Sequence, residues 1–124
     1  MSEKKQRVVV LGASDNPVRY ANKAVRLLIE HGHDVVPINP RLKSVEGIEV
    51  RPDLTHIDGT VDTLSIYVSP EISAAMAEQI LALQPARVIF NPGSENPAVR
   101  KALNEMGVRT EESCTLVLLR TGVF

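Results

Sequence analysis

The stretch VVVLGASDNPVRYANKAV, residues 8–25, decides the fold. Val8 to Leu11 is a continuous apolar run, the pattern of a strand covered on both faces of its sheet. Gly12 ends it with the residue type that a tight turn favours. Asn16-Pro17 then offers a polar cap followed by proline at a first helical position. Val18, Ala21, Val25 and Leu28 recur at helical spacing, so a helix is expected from Pro17 to a stop at His31-Gly32. Strand, glycine turn and helix, in that order, open a nucleotide-binding α/β sheet.

The rest of the chain repeats the unit. Val35 to Ile38 is a second apolar run, in which Pro37 points to an irregular or edge position. Thr63 to Val68 (TLSIYV) is a third strand and Arg87 to Phe90 a fourth. Val108 to Thr110 and Thr115 to Leu119 read as two further short strands or one broken one. Ser69-Pro70 and Asn96-Pro97 repeat the cap-and-proline start. Ile72, Met76, Ile80 and Leu83 line the second helix, ended by Pro85. Val99, Ala102, Leu103 and Met106 line the third, ended by Gly107. Residues 41–62 are less regular: Lys43 to Val50 reads as a loop with a short edge strand, and Pro52 to Ile57 as a helical turn. Alternation without hairpin turns implies right-handed crossovers. The expected fold is α/β: a single Rossmann-like, doubly wound, mostly parallel sheet of about five strands flanked by helices.

Composition narrows the function classes. The 124 residues suit one domain, taken as 1–124. A net charge of −1 with 23% charged residues gives no electrostatic reason to bind nucleic acid or an anionic membrane. Two Phe, two Tyr and no Trp leave no aromatic platform for bases. No apolar run approaches the ~20 residues of a membrane span. The opening MSEKKQR is polar with no apolar segment behind it, unlike a signal peptide. A single cysteine makes no internal disulfide, and the cytoplasm is the simplest compartment.

Ligands of such sheets bind beyond the carboxyl ends of the strands, where the strand order reverses. That selects Gly12–Asn16, Asn39–Lys43, Ser69–Glu71 and Asn91–Glu95. Four of the six asparagines precede proline, and all four pairs fall in or beside these loops. A dinucleotide loop reads G-x-G-x-x-G, whereas this one reads G-A-S-D-N-P, with Ser14 and Pro17 in place of the later glycines. It fails as an NAD fingerprint but leaves a helix N-terminus whose amides and dipole favour an anion. Ser14 and Asn16 add side-chain donors, and Arg19, expected in the first helical turn, suits a phosphate. After the second strand an NAD site needs an acid for the ribose; this chain has Asn39-Pro40-Arg41-Leu42-Lys43. Two cations there suit a ribose carrying an extra phosphate, that of coenzyme A or of NADP.

These residues carry a resemblance. The chain resembles the coenzyme A-binding domain family, small Rossmann-like proteins akin to the N-terminal domain of the succinyl-CoA synthetase α subunit. The matching segments are VVVLGASDNPVRYANKAVRLLIEHGHDVVPINPR, VDTLSIYVSPE and RVIFNPGSENPAVRKALNEMGVRTEESCTLV, nearly the whole chain. The resemblance implies that the adenosine diphosphate part of CoA lies over the first loop and second strand. By position this implicates Gly12, Ala13, Ser14, Asn16, Arg19, Asn39, Pro40 and Arg41, with Lys43 beside them. It adds Val68, Ser69 and Pro70 after the third strand and Asn91 after the fourth. Asn91-Pro92-Gly93 stands where many members have a Gln-Gly-type turn. In the synthetases catalysis uses a phosphohistidine from a following domain and a partner subunit. The resemblance therefore implies a CoA or acyl-CoA binding protein without catalysis of its own: a sensor, carrier or partner subunit. An NADP-binding redox protein or sensor and an interaction module with an idle nucleotide site are the alternatives.

No catalytic or metal-binding residue is identified. Cys114 reads as a packing residue, because Glu111 and Glu112 nearby disfavour a reactive thiolate. His31 and His33 flank a helix-ending glycine, where capping explains both. His56 has Asp53 and Asp58 near it without a ligand spacing that demands a metal. The terminal LVLLRTGVF is a candidate contact for a homodimer or an unidentified protein partner.

Overall fold

The computed structural model describes residues 4–124. Five parallel strands form its main sheet: β1 (Arg7–Leu11), β2 (Asp34–Ile38), β5 (Thr63–Ile66), β6 (Arg87–Phe90) and β7 (Arg109–Glu112), in the order β2-β1-β5-β6-β7. A small antiparallel pair, β3 (Ser44–Val45) and β4 (Ile48–Glu49), lies between β2 and β5 in the chain. The helices are α1 (Tyr20–Glu30), α2 (Pro70–Ala75), α3 (Ala77–Leu83), α4 (Pro97–Glu105) and α5 (Thr115–Arg120). The doubly wound parallel fold expected from the sequence is present.

Strand pleating explains why the runs are apolar throughout. Val9 and Leu11 join Ile66, Phe90, Ile80 and Leu103 in one core. Val8 and Val10, on the opposite face, pack with Val25, Leu28 and Leu119 in the other. Pro37 sits in β2, an edge strand that pairs with β1 alone among the strands of the main sheet, as its missing N–H requires. Glu46 and Gly47, with φ of +50° and +79°, make the β3–β4 turn, whose two left-handed residues match the twist of a tight hairpin.

Several local expectations are corrected. Helix α1 begins at Tyr20, because Asn16 accepts from the Val18 and Arg19 amides and closes a separate turn first. Arg19 is thus the N-cap residue, and Val18 is 76% exposed. The second helix divides at Met76, and Ser73 rather than Ile72 turns inward, where its hydroxyl accepts from Asn96 Nδ2 at 2.8 Å. Pro52–Ile57 is a series of bends and a turn, held by Asp53 accepting from Thr55 N and Oγ1. Residues 115–120 are a helix, not a strand: Thr115, Leu116 and Leu119 are buried at helical spacing. The Ser69 and Asn96 caps form as expected, accepting from Ile72 N and Val99 N.

Candidate functional site

Strand order reverses between β1 and β5, so the loops leaving these two strands diverge to opposite faces. The first loop turns at Gly12, whose φ is +88°; a Cβ there would stand 2.8 Å from Val68 Cγ1 and 3.3 Å from the Val68 amide nitrogen. Glycine is needed for both the conformation and the approach. The amides of Gly12 and Ala13 donate to Ile38 O at 3.1 and 3.0 Å. Those of Ser14, Asp15, Tyr20 and Ala21 enter no hydrogen bond among the described residues. The donors left for an anion are therefore later in the loop and in the first turn of α1.

The loop is held from beneath by α1. Asn22 is fully buried, and its Nδ2 donates to Ser14 O at 2.9 Å and to Glu46 at 3.2 Å. Arg26 donates to Asn22 Oδ1 at 2.8 Å and to Pro17 O at 2.9 Å. Two loop carbonyls are thus drawn toward the helix. Asn39 closes the other side: it donates to Ala13 O at 2.9 Å and accepts from the Arg41 and Leu42 amides. Its side chain bridges the loops after β1 and β2 and sets where Arg41 begins.

A cleft of about 400 Å³ results, lined by Gly12, Ala13, Ser14, Arg19, Tyr20, Ala21, Asn39, Tyr67 and Pro92. Five residues expected from the sequence meet there: Gly12, Ala13, Ser14, Arg19 and Asn39. The others lie around it. Asn16 shapes the turn before α1, and Pro40, Arg41 and Lys43 are exposed on the loop after β2. Val68 packs under Gly12, while Ser69 caps and Pro70 starts α2. Asn91 is fully buried: it donates to Ser65 Oγ and Ile66 O and accepts from Thr115 N, all within 2.9 Å. It anchors α5 against the sheet.

A second, more enclosed slot of about 380 Å³ adjoins the cleft, lined by Tyr20, Tyr67, Pro92, Cys114, Leu116, Val117 and Arg120. The Tyr67 hydroxyl is buried and has no hydrogen-bond partner among the described residues. Burial pushes its ionisation well up, Cys114 acts the same way and the nearby Thr115 hydroxyl opposes them, so the Tyr67 hydroxyl remains a donor.

A family model for the CoA binding domain matches residues 6–120. The chain belongs to the CoA binding domain family. A crystallised uncharacterised protein superposes with a TM-score of 0.93 at 36% identity, covering 98% of this chain and all of its own. YneT of Bacillus subtilis (strain 168) is 25% identical over 105 residues, 85% of this chain and 78% of YneT. A dinucleotide-forming acetyl-coenzyme A synthetase 1 of Ca. Korarchaeum cryptofilum matches with a TM-score of 0.74 at 19% identity, a likeness of fold. It covers 87% of this chain and 25% of the synthetase.

Within this CoA binding domain the sequence reading missed Asn22, Tyr20, Tyr67 and the α5 wall. Asn22 carried a signal, a polar residue on the otherwise apolar face of α1. Tyr67 carried another, a polar tip at the carboxyl end of an apolar strand. The remaining candidates settle elsewhere. Among the described residues no group of three or more His, Cys, Asp or Glu is placed to hold a metal ion. His31 is the C-cap of α1, and the His33 amide donates to Leu28 O at 3.1 Å across Gly32, so both close the helix end as expected. The His33 ring also accepts from Gln6 N at 3.0 Å and lies tilted against Phe124. Glu111 pairs with Arg87 and Arg109, and Glu112 with Arg100. Leu116 and Leu119 are core residues, leaving Val117 and Val123 as the exposed apolar side chains of the terminal segment. No helix among the described residues is long and apolar enough to cross a membrane.

Proposed function

We propose that this chain is a CoA or acyl-CoA binding protein, one domain over residues 1–124, that works with a partner or as a sensor or carrier and not as an enzyme. One observation carries the reading: the switch-point cleft joins unpaired backbone donors to the exposed Arg19. The amides of Ser14, Tyr20 and Ala21 suit the pyrophosphate, with Arg19 beside them. Arg41 and Lys43 stand on the β2 side, where the adenosine ribose of a dinucleotide lies. There they suit a 3′-phosphate, and no acid competes before Glu46. Asn39, Val68 and Asn91 act by holding the walls. The single free thiol, Cys114, fits a reducing cytoplasm.

Titrating CoA and dephospho-CoA against wild type and Arg41→Ala tests the assignment. A charge-assisted hydrogen bond contributes ~1.5–3 kcal/mol, so wild type should prefer CoA by about tenfold to a hundredfold. Arg41→Ala should lose that preference and bind dephospho-CoA nearly as before. Four similar affinities would sink the 3′-phosphate assignment. Stabilisation by NADP and not by CoA would overturn the ligand class itself.

A further inference from the structure

The slot beside the cleft has a lopsided chemistry. Pro92, Cys114, Leu116 and Val117 make its walls apolar, and Arg120 is the one charged residue that lines it. Arg120 follows Leu116 by four positions on α5, so the two share a helix face. The guanidinium is exposed and enters none of the ion pairs described among residues 4–124. Tyr67 adds a buried hydroxyl that lies near Thr115 and makes no hydrogen bond among the described residues, so it is free to turn to an acceptor in the slot.

Tyr20, Tyr67 and Pro92 line both cleft and slot, so the two hollows are continuous. A ligand with its pyrophosphate in the cleft has its ribose on the β2 side. Its remaining arm leaves toward β6 and α5, through the slot. Resting on the CoA reading above, we propose that the slot seats the acyl end of the thioester and selects acyl groups that end in a carboxylate. Arg120 pairs with that carboxylate, and Tyr67 donates to a carbonyl oxygen of the arm. An uncharged acyl chain of the same length meets the apolar walls equally well and leaves Arg120 without a partner. The difference between the two is the selectivity.

Glutaryl-CoA and pentanoyl-CoA share a five-carbon acyl chain and differ in the terminal carboxylate, so they are the probes. Calorimetric titration of the full chain should show glutaryl-CoA binding about two- to fivefold tighter, the worth of a well-formed but solvent-exposed ion pair. The preference should shrink as salt rises. In Arg120→Met the two thioesters should bind alike, and Arg120→Lys should keep part of the preference. Tyr67→Phe should weaken CoA and both thioesters severalfold and leave 3′-phosphoadenosine 5′-diphosphate, which lacks the arm, unaffected. Equal affinity of wild type for the two thioesters, with CoA binding intact, overturns this proposal and spares the CoA reading. Failure of CoA and both thioesters to bind overturns that reading and this proposal with it.

Discussion

The two ends of the sheet hold their cations in opposite ways. At the amino end Arg87, the first residue of β6, is 3% exposed and surrounded by acceptors. It donates to Thr63 Oγ1 through Nε and one terminal nitrogen, to Gln6 Oε1, to Glu111 and to Phe124 O. The guanidinium also lies 4.4 Å from the centre of the Phe124 ring. Burial lowers its hold on the proton, and Glu111 opposes that. At the carboxyl end Arg19, Arg41 and Lys43 are exposed with none of these partners. A cation whose acceptors are all internal fixes the fold. Cations without partners around a cleft of free amides suit a ligand's phosphates.

The largest effect should come from Arg87. Arg87→Met keeps most of the stem but leaves Thr63 Oγ1 and Phe124 O without their donor, Gln6 Oε1 with only the Thr63 hydroxyl, and Glu111 without its buried partner. Breaking such a pair from one side costs about 3 kcal/mol. Urea unfolding should show a lower midpoint at unchanged slope. The ratio of CoA to dephospho-CoA affinity should be untouched, since Arg87 lies across the sheet from the cleft. A loss below ~1 kcal/mol, or a changed ratio, would erase the distinction between the two ends.

Gly12→Ala should cost less in stability and reach both properties. The left-handed backbone at φ +88° costs roughly 1–2 kcal/mol for any residue with a Cβ. The added atom also meets Val68 Cγ1 at 2.8 Å. Val68→Ala in the same chain should recover the Cγ1 contact, but neither the backbone strain nor the 3.3 Å approaches to Tyr67 C and the Val68 amide nitrogen. CoA should bind more weakly in the single variant, because the loop that carries the free amides starts at this turn. Wild-type affinity in a destabilised Gly12→Ala would separate the turn from the site.

The strands and the two capped helices were legible because their signals are local: apolar runs, Ser-Pro and Asn-Pro. The start of α1 was not, because Asn16 can cap a helix or close a turn and the residues after it decide which. The C-terminal helix was misread for a different reason. Thr115-Leu-Val-Leu-Leu has strand composition, and its helical form depends on Asn91, far off in the chain, taking the Thr115 amide. Site residues on the first loop were legible as types. Their roles were not: Asn39 and Asn91 look like ligand amides in the sequence, yet both side chains bind the protein's own backbone. Tyr67 needed the fold, since only burial makes its hydroxyl unusual.

The smallest effect sharpens the comparison most. Replacing Arg19, Arg41 and Lys43 together by Gln removes three like charges from one edge of the sheet and breaks no internal hydrogen bond or ion pair made by their side chains. Exposed substitutions of this kind fall within about 0.5 kcal/mol of wild type. At low salt the sign should be a slight gain, since mutual repulsion is relieved, and it should vanish as salt screens the charges. Added CoA supplies the contrast. A ligand at a hundredfold excess over its dissociation constant stabilises by ~2.7 kcal/mol, and at the same CoA concentration the triple variant should lose most of that shift. Unfolding midpoints measured with and without CoA, at two salt concentrations, give all four terms. An unliganded variant more than ~1 kcal/mol less stable than wild type would mean that these cations, like Arg87, hold the fold together. The carboxyl edge would then no longer differ from the amino edge in the way the hydrogen bonds suggest.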